Sequence, residues 1–211
     1  MIRYLIWDVD GTLLDTYPAI TEAYGRALRD FGATASPDWI VTLARQSLGH
    51  CTATLAQEFG LDPDELGGRF QVHYAALPPA AQPPFPGVAD VCAYVCSIGG
   101  ANFIFTHRGR KSLLALLAAH DLTGYFTDCV THDDGCPKKP DPAGFEALIQ
   151  RHALERAETL AIGDRDIDVL AGQAAGVHTC LFGGAATTVA ADYSITDYVQ
   201  LYCLLRKQSS P

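Results

Sequence analysis

The segment Ile2-Arg-Tyr-Leu-Ile-Trp7 runs directly into Asp8-Val-Asp-Gly-Thr12. Its first six residues are mostly apolar and β-prone, which predicts a short buried strand. The Asp and Gly residues that follow are typical of a turn that ends a strand. Asp8 and Asp10 are two positions apart, so in an extended chain their side chains point to the same side. We therefore expect a buried strand with two carboxylates at its carboxyl end.

The chain from about 16 to 77 carries only helical patterns. Apolar residues recur at helical spacing, Ser36-Pro37 and Asp62-Pro63 each open a helix, and a further helix is predicted from Cys51 to Phe59. Residues 78–86 then hold five prolines in nine positions. That density of proline fits a stiff linker and excludes a helix interior or a central strand. This block therefore predicts a separate helical unit.

Beyond the linker, strand patterns alternate with helix patterns. Strands are predicted over residues 102–106, 128–131, 159–162 and 178–182, with a last short strand and helix after them. Such alternation indicates a parallel sheet with helices on both faces. The strand at residues 2–7 has to join this sheet, so the helical block is an insertion after the first strand. The predicted fold class is α/β, with a core domain formed by residues 1–15 and 84–211 and a helical domain formed by residues 16–83.

The composition limits the class of function. The chain has 211 residues, 48% of them hydrophobic, and its 15 Lys and Arg against 24 Asp and Glu give a net charge of −9. A chain this acidic lacks the basic face expected of a nucleic-acid-binding protein. No uncharged run approaches the roughly 20 residues of a membrane-spanning helix, and the first residues do not resemble a secretory signal. Seven cysteines without CxxC spacing suit mostly buried, reduced thiols in a cytoplasmic protein.

Reactive polar residues follow four of the predicted strands. In open parallel sheets, ligands bind beyond the carboxyl ends of the strands. The four segments are Asp8–Thr12, Thr106–Arg108, Lys138–Pro142 and Gly163–Asp168. Together they offer carboxylates, a hydroxyl and ammonium groups. This set of side chains suits an oxygen-preferring divalent cation together with a phosphate group.

Three of these carboxylates, Asp8, Asp10 and Asp164, are expected to lie close together. Like charges at short range raise each other's pKa, and a bound Mg²⁺ relieves the repulsion. Beside them, the Thr106 hydroxyl can donate to a phosphate oxygen and the Lys139 ammonium can neutralise its charge. The sequence thus predicts Mg²⁺ as a cofactor and a phosphorylated small molecule as the partner.

The same segments resemble the motifs of the haloacid dehalogenase-like (HAD) superfamily, in its phosphoglycolate phosphatase-like branch. The first motif, DxDGTLxD, is Asp8-Val-Asp-Gly-Thr-Leu-Leu-Asp15, and the second is the Thr that ends Phe103-Ile-Phe-Thr106. The third, KPxP, is Lys139-Pro-Asp-Pro142, and the fourth, GDxxxD, is Gly163-Asp-Arg-Asp-Ile-Asp168. The four motifs occur in order across nearly the whole chain, which makes the resemblance specific.

The resemblance implies a Rossmann-like core with a helical cap domain inserted after the first strand. It implies that Asp8 is the nucleophile, which forms an aspartyl-phosphate, and that Asp10 is the general acid and base. Mg²⁺ would be held by the Asp8 carboxylate, the Asp10 backbone carbonyl and Asp164. Asp168 would orient the loop or a metal-bound water.

The phosphate-binding residues implied by the resemblance are Thr106 and Lys139, with Gly11 and the backbone N–H of His107 beside them. Gly11 permits close approach of the backbone to the ligand. Lys138 is the alternative to Lys139, and the spacing of the KPxP motif favours Lys139.

Two pairs of residues leave alternatives open. His107 and Arg108 depart from the Asn often found after the second motif, and their side chains either contact substrate or lie in a solvated loop. Arg45 and His50 end the second helix of the cap domain. They either contact the leaving group of the substrate or belong to an ordinary connection between helices.

The sequence therefore predicts a cytoplasmic, Mg²⁺-dependent phosphatase of a small organic monophosphate, with phosphoglycolate as the leading candidate. A sugar phosphomutase of the β-phosphoglucomutase type would use the same motifs and is the first alternative. A signalling module that is phosphorylated on Asp without catalysis is the second, although such modules lack a helical insertion after the first strand. We expect no nucleic-acid or membrane partner, and either a monomer or a homodimer.

Overall fold

The computed structural model describes residues 1–183 and 188–209. In this part of the chain six strands form one sheet, and every neighbouring pair is parallel. The strands are β1 (Tyr4–Trp7), β2 (Ala101–Phe105), β3 (Phe126–Val130), β4 (Thr159–Gly163), β5 (His178–Phe182) and β6 (Tyr193–Ile195). Their order across the sheet is β3-β2-β1-β4-β5-β6, so the N-terminal strand lies inside the sheet. The predicted parallel sheet is confirmed.

Helices precede and follow these strands. The α-helices of the described residues are α1 (Tyr17–Asp30), α2 (Pro37–Gln46), α3 (Leu48–Phe59), α4 (Pro63–Ala75), α5 (Val88–Ser97), α6 (Arg110–Ala119), α7 (Ala143–His152), α8 (Asp166–Ala174) and α9 (Tyr198–Ser209). The first four follow one another, whereas from α5 onward helices alternate with strands for most of the chain. This arrangement confirms the predicted α/β class with a Rossmann-like sheet.

The central strand β1 separates two apolar layers. Leu5 and Trp7 belong to a cluster that includes side chains of α5, α6 and α9, whereas Ile6 belongs to a cluster with α7 and α8. All three side chains are fully buried. Because helices cover both faces, the strand is apolar at successive positions, as expected for the interior of a parallel sheet.

The strand register brings the carboxyl ends of β1, β2 and β4 to the same edge. Trp7 pairs with Ile104 on one side and with Ile162 on the other. The Asp8 N–H then donates to the Ile162 carbonyl at 2.8 Å, which continues the pairing by one residue. Strands β2 and β4 pair with opposite sides of β1, so the strand order reverses at β1. Ligands of such sheets bind at this point of reversal. Asp8 therefore lies at the edge where a ligand is expected.

The chain divides into two compact units, residues 1–14 with the chain from 84 onward, and residues 15–83. The predicted boundary placed Asp15 in the core domain, whereas it groups with the helical unit. That unit has an apolar core of its own, in which the rings of Tyr24 and Phe70 stack with centroids 4.0 Å apart. A role for this unit as a cap stays a prediction.

One helix of this unit begins earlier than predicted. The sequence pattern placed the start of α3 at Cys51, whereas the helix begins at Leu48. The reason is Ser47, whose hydroxyl accepts from the His50 N–H at 3.0 Å and caps the helix.

All seven cysteines are unpaired in the structure. Cys51, Cys92, Cys129 and Cys180 are buried, whereas Cys96 and Cys203 are exposed. Among the described residues, we find no helix with both the length and the apolar character needed to cross a membrane.

Replacing Leu113 by Ala tests the apolar layer that α6 contributes. Leu113 is fully buried, whereas Leu114, next to it on the same helix, is 45% exposed. Leu113→Ala should lower the free energy of unfolding by about 2–5 kcal/mol, because it removes buried methyl groups and leaves a cavity. Leu114→Ala is the matched control and should change it by about 0.5 kcal/mol or less. Urea denaturation measures both, and equal effects would contradict this description of the core.

Candidate active site

A buried lysine joins two carboxylates at the edge of the sheet. The Lys139 ammonium donates to Asp8 Oδ1 and to Asp168 Oδ1, each at 2.7 Å. Its side chain is fully buried, and its nitrogen lies 4.8 Å from the centre of the Phe105 ring. Lys138, the other candidate from the sequence, is exposed. Segments that are far apart in the sequence therefore meet at one ammonium group.

Burial and the ion pairs shift the pKa values of these groups. Burial raises the pKa of Asp8 to about 6, although the Lys139 ammonium acts in the opposite direction. Burial also favours the neutral amine of Lys139, but the carboxylates of Asp168 and Asp8 outweigh it and raise the pKa of Lys139. Near neutral pH, Asp8 is therefore mainly an ionised carboxylate bound to an ammonium.

Three carboxylates lie close enough to share one cation. One oxygen each of Asp8, Asp164 and Asp168 lies within 4.8 Å of the others, and all three residues are buried. In the described part of the chain, the second oxygen of Asp8 is buried and makes no hydrogen bond. The structure thus brings together Asp8 and Asp164, both of which the sequence proposed as metal ligands.

Asp168 is held at both of its oxygens. Its Oδ1 accepts from Lys139, and its Oδ2 accepts from the Arg165 N–H at 3.2 Å, at the start of α8. A Cβ at Gly163 would lie 2.2 Å from the Asp168 Cβ, so only glycine allows this approach. The sequence assigned Asp168 an orienting role, and these contacts join Lys139 to the beginning of α8.

The Asp10 side chain pairs with Arg108 and is not part of the carboxylate cluster. Arg108 Nε donates to Asp10 Oδ2 at 3.3 Å, and Arg108 Nη2 forms a second, shorter hydrogen bond to Asp10 Oδ1. Neither the sequence motif nor the spacing indicated this ion pair. Because the metal ligand proposed at Asp10 is its backbone carbonyl, that proposal does not depend on the side chain.

The loop after β2 brings Thr106 and His107 to the same edge. The buried Thr106 hydroxyl accepts from the Arg108 N–H at 3.1 Å. His107 Nε2 accepts from the backbone N–H of Lys139 at 2.9 Å. Burial, with the positive charges of Lys139 and Arg165, lowers the pKa of His107 to about 4. The imidazole is therefore neutral near pH 7 and able to accept this hydrogen bond.

Tyr198 supports the loop after β1 from the C-terminal helix. Its hydroxyl donates to the Thr12 carbonyl at 2.7 Å, and its ring stacks on Phe182 with centroids 4.6 Å apart. Within the same loop, Gly11 has a φ of +80°, a conformation that favours glycine. The sequence did not indicate the role of Tyr198, because its partner lies 186 residues away.

Arg45 lies at the end of α2 as predicted, whereas His50 lies in the first turn of α3 and not at the end of α2. Both residues make contacts inside the helical unit. The Arg45 guanidinium lies 4.5 Å from the centre of the Tyr17 ring, and His50 Nε2 lies 3.4 Å from Thr54 Oγ1. These contacts explain how both side chains are oriented locally. A role of either residue toward the substrate stays a prediction.

The Asp8 carboxylate and the Lys139 ammonium lie together at the edge of a parallel sheet, as the resemblance to haloacid dehalogenase-like enzymes implies. The family described as haloacid dehalogenase-like hydrolase matches residues 5–182. A phosphoglycolate phosphatase from Photobacterium profundum is 30% identical over 189 residues, which cover 84% of this chain and 81% of the relative. A plasmid phosphoglycolate phosphatase from Cupriavidus necator is 32% identical over 183 residues, which cover 82% of this chain and 78% of the relative.

A solved structure agrees on the fold. The crystal structure of a predicted phosphoglycolate phosphatase from Haemophilus somnus aligns over 97% of this chain and 98% of its own, with a TM-score of 0.84 at 17% identity. The chain belongs to the haloacid dehalogenase-like hydrolase family. These findings confirm the predicted resemblance and the classification of the chain as an enzyme of the phosphoglycolate phosphatase-like branch.

His107 should make the stability depend on pH in a defined direction. Its pKa is lowered from 6.5 to about 4 in the folded protein, so the unfolded chain takes up a proton first as the pH falls. The stabilisation from His107 is therefore complete above about pH 6.5 and is lost as the pH falls toward about 4. His107→Gln keeps a group that can accept from the Lys139 N–H but does not titrate.

The measurement is the free energy of unfolding of the wild type and of His107→Gln at about pH 7.5 and about pH 5. The difference between the two proteins should move in favour of the variant at the lower pH. A difference that is the same at both pH values would contradict a buried, neutral imidazole at this position.

Proposed function

We propose that the protein is a Mg²⁺-dependent phosphatase that hydrolyses a small organic phosphate monoester, with phosphoglycolate as the leading candidate. The observation that carries the proposal is the buried Lys139 ammonium bound to Asp8 Oδ1, next to the Asp164 carboxylate. A carboxylate held in a fixed orientation can attack phosphorus, and the adjacent positive charge attracts the oxygens of the phosphate ester. Phosphoryl transfer depends mainly on such positioning and charge stabilisation.

In the first step of the proposed reaction, an oxygen of Asp8 attacks phosphorus. The bond between phosphorus and Asp8 forms while the bond to the leaving alkoxide breaks, and Asp10 gives the alkoxide a proton. The products are an alcohol, an aspartyl-phosphate at Asp8 and an ionised Asp10.

In the second step, water attacks the same phosphorus. Asp10 accepts a proton from the water, the bond between phosphorus and Asp8 breaks, and inorganic phosphate leaves. Asp8 is regenerated as a carboxylate and Asp10 as an acid, so Asp10 serves as acid and as base in turn.

The proposed phosphate contacts come from three segments. Lys139 supplies a charged donor, and the Thr106 hydroxyl supplies a neutral one. Because the Thr106 oxygen accepts from the Arg108 N–H, its own hydrogen can be donated to a phosphoryl oxygen. The backbones of Gly11 and His107 complete the proposed cradle. His107 also acts through its side chain, which holds the backbone of Lys139 in place.

The residues at this edge fit a hard divalent cation. Oxygens of Asp8 and Asp164 lie within 4.8 Å of each other. The second Asp8 oxygen is buried without a hydrogen bond from the described residues, and a cation would compensate the charge there. The proposed ligands are Asp8, Asp164 and the Asp10 backbone carbonyl. When bound, Mg²⁺ would add positive charge beside the phosphoryl oxygens.

The substrate assignment rests on the relatives. Phosphoglycolate phosphatases of 30% and 32% identity match most of this chain, which makes phosphoglycolate the first ester to test. We extend the proposal to a cap role for the helical unit, with Arg45 and His50 toward the leaving group, and to a location in the cytoplasm. The proposed partner is a small phosphorylated metabolite. A net charge of −9 does not favour binding to nucleic acid.

Asp8→Asn tests the nucleophile. The substitution keeps the shape of the side chain but removes the nucleophilic oxygen and the ion pair with Lys139. Hydrolysis of p-nitrophenyl phosphate with Mg²⁺ should fall by roughly 10⁴-fold or more. Asp121→Asn, an exposed position on the same unit, is the matched control and should keep the wild-type rate. An Asp8→Asn variant with the full rate would contradict the proposal.

Removal of the metal should abolish activity reversibly. Dialysis against EDTA should stop hydrolysis, and Mg²⁺ should restore it. Asp164→Asn removes one charged ligand, so the Mg²⁺ concentration needed for half of the maximal rate should rise by about 10-fold or more. Asp121→Asn should require no more Mg²⁺ than the wild type. Hydrolysis that continues unchanged in EDTA would contradict the cofactor assignment.

A further inference from the structure

The guanidinium of Arg108 engages both oxygens of the Asp10 carboxylate. Nε donates to Oδ2 at 3.3 Å, and Nη2 donates to Oδ1 through a shorter hydrogen bond. Nη1, the third nitrogen, donates to Ser112 Oγ at 2.8 Å. The Arg108 side chain is 7% exposed, whereas that of Asp10 is 29% exposed. The more buried member of the pair is therefore the arginine, and the carboxylate is the member nearer to solvent.

The backbone of Arg108 is also fixed by hydrogen bonds. The Arg108 N–H donates to the Thr106 hydroxyl at 3.1 Å, and the Arg108 carbonyl accepts from the His132 N–H at 3.1 Å. Ser112 lies on the first turn of α6, next to the loop that carries Arg108. The guanidinium therefore projects from a supported loop that leads directly from the end of β2 into a helix.

The geometry allows the Arg108 guanidinium to fix the orientation of the Asp10 carboxylate. An aspartate side chain can adopt several rotamers, whereas the planar fork of a guanidinium binds a carboxylate in one plane and one direction. Lysine offers a point charge without this directionality. A proton acceptor must lie within hydrogen-bond reach of the attacking water, and a displacement of about 1 Å can cost roughly 10²-fold in rate.

We propose that Arg108 is a positioning residue that orients the Asp10 carboxylate, and that it acts through Asp10 rather than on the substrate. This inference rests on the proposed function, in which Asp10 transfers a proton in both steps. Ser112 supports the same arrangement, because it fixes the far side of the guanidinium. Arg108 is thus one of the residues that prepare the site for proton transfer.

The first test separates catalysis from binding. Arg108→Gln should lower kcat for p-nitrophenyl phosphate roughly 30- to 100-fold and leave KM within about 2-fold, because substrate contacts are unchanged. Arg108→Lys should recover part of kcat, and Ser112→Ala should lower it by a smaller factor than Arg108→Gln. Arg110→Gln is the matched control: Arg110 is two residues away but pairs with Asp134, and its loss should leave kcat unchanged.

The second test asks whether Arg108 acts through Asp10. In an Asp10→Asn background, Arg108→Gln should cause little further loss of kcat, because the group to be positioned is already absent. p-Nitrophenyl phosphate suits this measurement because its leaving group needs little protonation, so the loss of kcat reports on the second step, in which Asp10 accepts a proton from water. Circular dichroism and urea denaturation establish that each variant is folded, and Ser112→Ala provides the test should Arg108→Gln not fold.

Three results would overturn the inference. An increase in KM with an intact kcat would make Arg108 a substrate contact. Full additivity of Arg108→Gln and Asp10→Asn would show that Arg108 acts independently of Asp10. An unchanged or increased kcat of Arg108→Gln would exclude a positioning role. A wild-type protein without turnover of any phosphate ester would instead contradict the proposed function, together with the catalytic role of Arg108.

Discussion

The buried ion pair between Lys139 and Asp8 is the interaction on which the rest of the site depends. Charged groups are costly to remove from water, and removal of one partner leaves an uncompensated charge in the interior. Lys139 lies 2.7 Å from both Asp8 and Asp168, so one ammonium serves two carboxylates. Its nitrogen also lies over the Phe105 ring at 4.8 Å. A Cβ at Gly144 would lie 2.3 Å from that ring, so only glycine at this position leaves room for the Phe105 ring.

The parallel sheet explains how such distant residues meet. Lys139 is separated from Asp8 by 131 positions and from Asp168 by 29. Neighbouring parallel strands end at the same edge, so the loops that follow them come together without any local relation in sequence. The pairing of Trp7 with both Ile104 and Ile162 fixes the relative height of the loops after three strands. The apolar core thereby determines where the charged groups lie.

Sequence reasoning was effective where a pattern is local or where a motif fixes the spacing. The alternation of strands and helices predicts the α/β class, and the ordered motifs predict that Asp8, Lys139 and Asp164 meet at one edge of the sheet. The KPxP spacing separated Lys139 from Lys138, and the structure buries the former and exposes the latter. The fold class depends on periodicity along the chain, and the site residues lie where a motif follows a strand. Both signals are local in the sequence.

The contacts that the sequence did not indicate are those between side chains on different elements. Arg108 binds Asp10, His107 binds the Lys139 backbone, and Tyr198 binds the Thr12 carbonyl. Each partner is chosen by rotamers and tertiary packing, which no local pattern encodes. Ser47 is a smaller case, because its capping hydroxyl starts α3 at Leu48, before the position that the apolar spacing predicts.

The central claim is that Asp8, held by Lys139, becomes covalently phosphorylated. Sodium borohydride reduces an acyl phosphate and converts the aspartate that carries it into homoserine. Mass spectrometry of the peptide that contains Asp8, after treatment during turnover of a phosphate ester, measures this directly. The account predicts homoserine at position 8, formed only when substrate is present. Homoserine at Asp10 or Asp164, or no modified residue under turnover, would contradict it.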